Sequence, residues 1–378
     1  MRPTSLVSLV LLTLGLLPQA AHAQAVATAP PRPAGAAAAT ATLPRVRLVA
    51  TGGTISNRNG GRLSAEELVT AMPGVDRYVR PEAEQFANTA SSELTLKQWL
   101  DLARRINTLV TEDADLAGIV VTSGTDTLEE TAYFLNLTVR SAKPVVVVGS
   151  MRNPSTLGYE GAANLLDAFR VAATPEARGK GVLVVLNDEI NAARDVTKTD
   201  ALRLNTFQSR PYGVLGVVDS DRVVFYRDLV KRHTERSEFD VARIDELPRV
   251  DIAMVYQGAS GDIIKAIVDQ GAKGIVIASA GAGATSGTQA EGIQYAIDKG
   301  VFVVTSTRTG SGRIAARRRG TAALGLPSNE GDQGAARPAA DRRIAAEDLA
   351  PVKARILLML ALTRTTSGAE IQRMFTEY

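Results

Sequence analysis

From about residue 45 onward, nearly unbroken apolar runs alternate with stretches whose apolar positions recur at helical spacing. "RVRLVA" (45–50), "LAGIVVT" (116–122), "KPVVVVGS" (143–150) and "GVLVVLN" (181–187) read as strands, because runs without polar alternation belong in a sheet covered on both faces. Between them, "SAEELVTAM" (64–72), "TLKQWLDLARRINTLV" (95–110), "DTLEETAYFLNLTV" (126–139) and "AANLLDAFRVAA" (162–173) read as helices, and Ser64 and Glu67 are spaced as a capping box. The pattern weakens and charge rises over 215–246, a stretch that reads as a hairpin plus linker. It resumes with strands at 250–256, 274–280 and 301–307, helices at 262–271 and 291–300, and a final helix "APVKARILLMLALTR" (350–364). This order predicts an α/β protein. A larger N-terminal, doubly wound, mostly parallel sheet domain spans 45–219, a linker 220–246, and a smaller C-terminal α/β domain 247–378.

The first 44 residues stand outside this alternation. Arg2 precedes an uncharged apolar stretch, Leu6 to Leu17, too short to span a bilayer, and "AHAQ" offers the small residues of a cleavage site after Ala23. Residues 1–23 are therefore expected to be a signal peptide and 24–44 an Ala/Pro-rich tether. The mature protein is expected to be periplasmic or secreted, with no membrane span.

Charge narrows the picture little. The formal net charge is +3, and no Lys/Arg stripe with interleaved aromatics marks a nucleic-acid partner. The one dense basic run, "RIAARRRG" (313–320), reads as a solvated face. "SNEGDQGAARPAADRR" (328–343) reads as a long exposed loop in which Glu330 has no assigned role. Cysteine and histidine usage narrows it sharply. There is no Cys, and His233 is the only histidine after the expected cleavage. Thiolate chemistry and zinc sites of the usual kinds are excluded. A hydrolase built from this chain needs a Ser, Thr or carboxylate nucleophile, with a Lys or carboxylate as its expected base.

Two turns then draw the eye: "TGGT" (51–54) and "TSGTDT" (122–127), each at the end of a strand. Ligands of open parallel sheets bind beyond the carboxyl ends of strands. Gly53 and Gly124 there would let backbone approach a ligand, and the two turns would bring Thr54, Thr125 and Asp126 together. The plainer reading is structural: Thr125 or Asp126 caps the following helix, with Glu129 or Glu130 completing a box, and "TGG" is a tight strand exit. A third stretch, "ARDVTKTD" (193–200), holds Lys198 among hydroxyls and carboxylates after the strand at 181–187. Lys198 is either surface charge or, on the same rim, the base for a threonine hydroxyl, which requires desolvation or a proton-sharing network.

"ATGGTIS" (50–56), "GIVVTSGTDTLEETAYFLNLTV" (118–139), "KPVVVVGSMR" (143–152), "GVLVVLNDEI" (181–190) and "RDVTKT" (194–199) together resemble the bacterial type II L-asparaginase family, and the resemblance runs from about residue 46 to the C-terminus. It implies hydrolysis of L-asparagine to L-aspartate and ammonia through an acyl ester on Thr54, without metal or cofactor. By the same resemblance, Thr125, Asp126 and Lys198 would form the second catalytic group, Ser91 would hold the substrate α-carboxylate, and Asp126 would also grip the α-ammonium. It also implies a homotetramer built from intimate dimers, each site completed by a partner's C-terminal domain.

Four positions depart from the family pattern. The loop "SNRNGGRL" (56–63) lacks the usual tyrosine. Ser92 stands where Gln or Glu is common against the substrate amine, and Ser123 where histidine is common. In "YQGASGD" (256–262) only Gln257 or Ser260 could replace the partner's asparagine. Two other readings stay open: a mixed glutaminase-asparaginase, since one methylene is worth only about 1–3 kcal/mol of discrimination, and a secreted amino-acid-binding protein without turnover.

Overall fold

The computed structural model describes residues 42–316 and 341–378. The expected signal peptide, nearly all of the tether, the second half of the basic run and most of the 328–343 segment lie outside the described residues.

Eight strands form the large sheet, in the order Val223–Phe225, Gly216–Val218, Glu189–Ala192, Val182–Leu186, Val145–Val148, Leu116–Thr122, Arg45–Gly52 and Arg80–Thr89. The five from Val182–Leu186 to Arg80–Thr89 run parallel, and the other three add antiparallel at one edge. Alternate residues of each central strand enter different cores. Val145 and Val147 pack with Trp99, Ile106 and Phe134 from helices Leu96–Glu112 and Leu128–Thr138. Val146 and Val148 pack with Leu68, Leu165 and Phe169 from Ala65–Thr70 and Gly161–Ala173 on the other face. This is the doubly covered sheet that all-apolar strands require.

Four parallel strands, Val250–Met254, Gly274–Ser279, Phe302–Thr307 and Arg343–Ala345, form the smaller sheet. Helices Asp262–Asp269 and Gln289–Asp298 cover one face through Ile264 and Ile293. The helix Pro351–Leu362, apolar around its whole circumference, lies between the sheets. Its Ile356, Leu357, Leu358 and Leu360 share one core with Phe134 on one side and with Val276, Val304 and Ile344 on the other. Among the described residues no helix is long and apolar enough to cross a membrane.

Besides the short strand Arg343–Ala345, which the sequence did not announce, three elements differ from the sequence expectation. Arg80–Thr89 is a ten-residue edge strand although its sequence is charged. It pairs in parallel with Arg45–Gly52 and is further held by an ion ladder in which Glu82 accepts from Arg45 and Arg47 of that strand, and Glu84 from Arg105 of helix Leu96–Glu112 at 2.7 Å. Charged side chains suit an edge that must not recruit further strands. Next, the strand Val182–Leu186 does not run out toward "ARDVTKTD". Asn187 and Asp188 adopt left-handed φ of 56° and 62° and turn the chain into the antiparallel strand Glu189–Ala192, as a two-residue hairpin demands. Finally, the helix at 351–362 is not the last: Gly368–Glu377 follows, capped by the Ser367 hydroxyl, with Ile371, Met374 and Phe375 buried.

The hairpin turn sets Asp188 against Asp167 of helix Gly161–Ala173. Burial first, and then the Asp188 charge, push the Asp167 carboxyl up to about 7, with Arg170 opposing from 3.4 Å. The folded chain thus holds a proton that an unfolded carboxyl near 3.8 has lost. This contribution to stability is present below about pH 4 and fades as pH rises through about 7. Asp167→Asn is expected to be more stable than the parent at pH 8 by on the order of 1–2 kcal/mol and equal to it near pH 4. Thermal unfolding across that range checks it, and parallel pH curves for the two proteins would contradict it.

Candidate active site

Strands Arg45–Gly52 and Leu116–Thr122 are parallel neighbours with Ala50 opposite Thr122, so both chains leave the sheet side by side on one rim. Past that register, side chains take over the ladder: the Thr51 hydroxyl donates to Thr122 O at 2.6 Å, and Thr51 N donates to the Thr122 hydroxyl at 3.2 Å. The turns then touch backbone to backbone. A Cβ on Gly53 would stand 2.3 Å from Gly124 N and 2.4 Å from Gly124 Cα, and Gly53 has φ 88°. A Cβ on Gly124 would stand 2.7 Å from the Ser91 hydroxyl. Only glycine permits this stack of three turns, which brings Thr54 and Thr125 out from one point of contact.

Thr54, half-buried, opens a single 3-10 turn, Thr54–Ser56. The Gly53 N–H is committed to Thr89 O at 2.9 Å, so Gly53 contributes close approach rather than a donor for a ligand. The loop after the turn is a small hairpin, Asn57–Arg58 against Gly61–Arg62, with no aromatic in it. Tyr159, from a different loop, donates its hydroxyl to Ile55 O at 2.9 Å.

Thr125 and Asp126 do not cap the next helix. Its N-cap is Thr127, which makes no side-chain capping bond. The Lys198 ammonium instead donates to the Asp126 carboxylate at 2.7 Å and to the Thr125 hydroxyl at 3.1 Å. Lys198 is largely enclosed, with 16% of its side chain exposed against 75% for Asp126. Nor does Lys198 arrive as a strand exit. The hairpin carries the chain back to Ala192 opposite Leu183, and residues 193–198 then run beside helix Leu128–Thr138 to reach Glu129.

Glu129, buried at the start of that helix, accepts from Lys198 N at 3.1 Å and from the Thr197 hydroxyl at 2.9 Å. Its second oxygen lies 3.8 Å from Lys353, which is buried on the helix between the sheets. Burial pulls the Lys353 ammonium down to about 8, against the pull of the Glu129 charge. Lys353 also donates to Arg194 O at 2.9 Å and to Val196 O, while Arg194 forks onto Asp348 at 2.8 and 2.7 Å and reaches Tyr378 O at 2.7 Å. The segment bearing Lys198 is therefore braced from beneath by the C-terminal part of the chain.

Ser91 is buried and its hydroxyl accepts from Thr127 N at 3.3 Å; Ser92 is exposed. Ser123 is buried, with its hydroxyl turned to Gly124 O. Gln257 is exposed and the Ser260 hydroxyl is engaged locally by Asp262 N at 3.0 Å, so neither is joined to the Thr54 turn. His233 lies at the opposite end of the sheet, against Gly181 at the start of its strand. Burial and then Arg236 lower its imidazole to about 4, and it takes no part in this cluster. Sequence reading missed Glu129 as an anchor, Lys353, Arg194 with Asp348, and Tyr159. Lys353 alone left a signal: a lysine in a helix that is apolar all round must be buried and must find partners.

Comparison with known proteins gives a consistent result. Residues 45–231 match the family model "Asparaginase, N-terminal", and residues 249–375 match "Glutaminase/Asparaginase C-terminal domain". The chain is 43% identical over 346 residues to L-asparaginase 2 of Bacillus subtilis, covering 89% of this chain and 87% of the relative. It is 37% identical to a glutaminase-asparaginase of Pseudomonas fluorescens, covering 96% and 95%. It is 38% identical to L-asparaginase 2 of Escherichia coli, covering 89% and 94%. The crystal structure of a probable cytoplasmic L-asparaginase from Campylobacter jejuni superposes with a TM-score of 0.80 at 39% identity, covering 89% of this chain and all of that one. Matched in both halves of the fold and along most of its length, the chain belongs to the type II asparaginase family.

Proposed function

We propose that this protein hydrolyses the side-chain amide of L-asparagine to L-aspartate and ammonia, with Thr54 as the nucleophile. The observation that carries the reading is the Lys198 ammonium shared between Thr125 and Asp126, one residue past the contact that joins their turn to that of Thr54. A protein that only bound an amino acid would have no use for an enclosed lysine hydrogen-bonded to a hydroxyl.

In the proposed reaction the Thr54 hydroxyl attacks the amide carbon and its proton passes into the Thr125–Lys198–Asp126 group. The C–N bond breaks as the nitrogen takes up a proton and leaves as ammonia. Water then attacks the resulting ester, Thr54 recovers its proton, and L-aspartate departs. Ser91 meets the substrate α-carboxylate, with Ser92 at the margin. Asp126, mostly exposed, keeps one oxygen on Lys198 and offers the other to the α-ammonium. The short hairpin at Asn57–Arg62 and the glutaminase-asparaginase relative support a second reading, in which L-glutamine is also hydrolysed.

We further infer export through residues 1–23, a reading that agrees with a Haemophilus influenzae relative named as periplasmic, and assembly into a homotetramer of intimate dimers. The exposed Met254, Tyr256 and Ile263 on the smaller domain support a partner contact there.

Purified protein is expected to release ammonia from L-asparagine faster than from L-glutamine. Thr54→Ala should lower that rate by roughly 10³-fold or more with the fold intact by circular dichroism. Comparable rates on both amino acids would favour the mixed activity. Lys198→Met is expected to cost roughly 10²- to 10⁴-fold in kcat, and an unchanged rate would remove lysine from the mechanism.

A further inference from the structure

Every carbonyl of the turn that presents Thr54 has a hydrogen-bond donor, and all but one of these donors are local. Gly53 O accepts from Ser56 N at 3.1 Å and from the Ser56 hydroxyl at 3.0 Å. Thr54 O accepts from Asn57 N, and Ser56 O from Leu63 N at 2.7 Å. Ile55 O, on a fully buried residue, accepts only the Tyr159 hydroxyl among the described residues, at 2.9 Å across 104 positions of sequence.

Tyr159 is itself firmly seated. Its ring lies where a Cβ on Gly161 would stand, 2.3 Å from the hydroxyl oxygen and from a ring carbon, so the first residue of helix Gly161–Ala173 must be glycine for the ring to fit. The loop bearing it is folded on itself. Glu160 accepts from Met151 N and Arg152 N, Arg152 donates to Gly158 O at 3.0 Å, and the Asn153 side chain accepts from Ser155 N at 2.9 Å and from the Thr156 hydroxyl at 3.0 Å. Ser155 also takes Asn59 N at 2.9 Å, tying the small hairpin to the same loop. Burial, and then the Glu160 charge, raise the phenol well above its ordinary range, so it stays a donor at any working pH.

We propose that Tyr159 is a positioning residue for Thr54: by fixing the Ile55 carbonyl from a rigid neighbouring loop, its phenol aims the turn that carries the nucleophile. This rests on the reading of Thr54 above. A hydroxyl displaced by even 1 Å from its line of attack loses on the order of 10²-fold in rate, whereas the loss of one hydrogen bond lowers Tm by only a few degrees in a chain of this size. The two effects therefore separate.

The test is Tyr159→Phe, which keeps the ring and removes only the donor, assayed beside Thr54→Ala and the parent for ammonia release from L-asparagine and for thermal unfolding. The expected result is a kcat lowered roughly tenfold or more, a KM within about twofold of the parent and a Tm within a few degrees. An unchanged kcat overturns the proposal. So does a rise in KM at constant kcat, which would put the phenol on the substrate, or a kcat loss matched by a large fall in Tm, which would make it structural. Activity surviving in Thr54→Ala would instead sink the nucleophile assignment, whatever Tyr159→Phe does.

Discussion

The contact on which the candidate site depends is the one between Gly53 and Gly124. Two adjacent parallel strands end together, but strands stand about 4.8 Å apart, and side chains on their exits would ordinarily hold the following turns at a distance. The missing Cβ of Gly53 lets the main chains meet, that of Gly124 lets Ser91 close in behind, and the Thr51–Thr122 hydrogen bonds close the ladder just beneath them. Thr54 and Thr125 leave that meeting point as neighbours although 71 residues separate them in sequence. A methyl group at Gly53 would have to displace the backbone of Gly124, and one at Gly124 would run into the Ser91 side chain.

Lys198 is set by a different constraint. A lysine ammonium is strongly hydrated and its stem flexible, so a fixed position must be imposed from outside. Here the imposition is on its backbone. Glu129 holds Lys198 N and the Thr197 hydroxyl, and Lys353 holds the carbonyls of Arg194 and Val196. The buried charges of Lys353 and Glu129 answer each other across 3.8 Å, an arrangement tolerable inside a protein because the remaining donors of Lys353 are given to carbonyls.

Most of the fold was legible because valine-rich runs such as 145–148 leave no alternative to a doubly covered sheet, and the same runs located the turns at 51–54 and 122–127. The edge strand at 80–89 was not, since its ion ladder has partners on a neighbouring strand and a helix and leaves no apolar pattern in its own sequence. The helix at 368–377 did carry a pattern, with Ser367 as cap and Ile371, Met374 and Phe375 spaced three and four apart, but it is short. In the site, Thr54, Thr125, Asp126 and Lys198 sit in recognisable local stretches. Glu129, Lys353 and Tyr159 do not, because what they do is defined by residues between 68 and 224 positions away. Capping was a sound local reading of Asp126. It lost to a tertiary partner, Lys198, that no window around residue 126 contains.

The brace beneath Lys198 has a temporal side. Thr54, Thr125 and Lys198 all precede residue 200, yet the ammonium and carboxylate that steady their arrangement from below, Lys353 and Asp348, come some 150 positions later. A chain made from its N-terminus therefore holds its chemical groups long before it holds the keystone that sets them. The newborn protein is an unfinished arch, and its chemistry waits on the last stone.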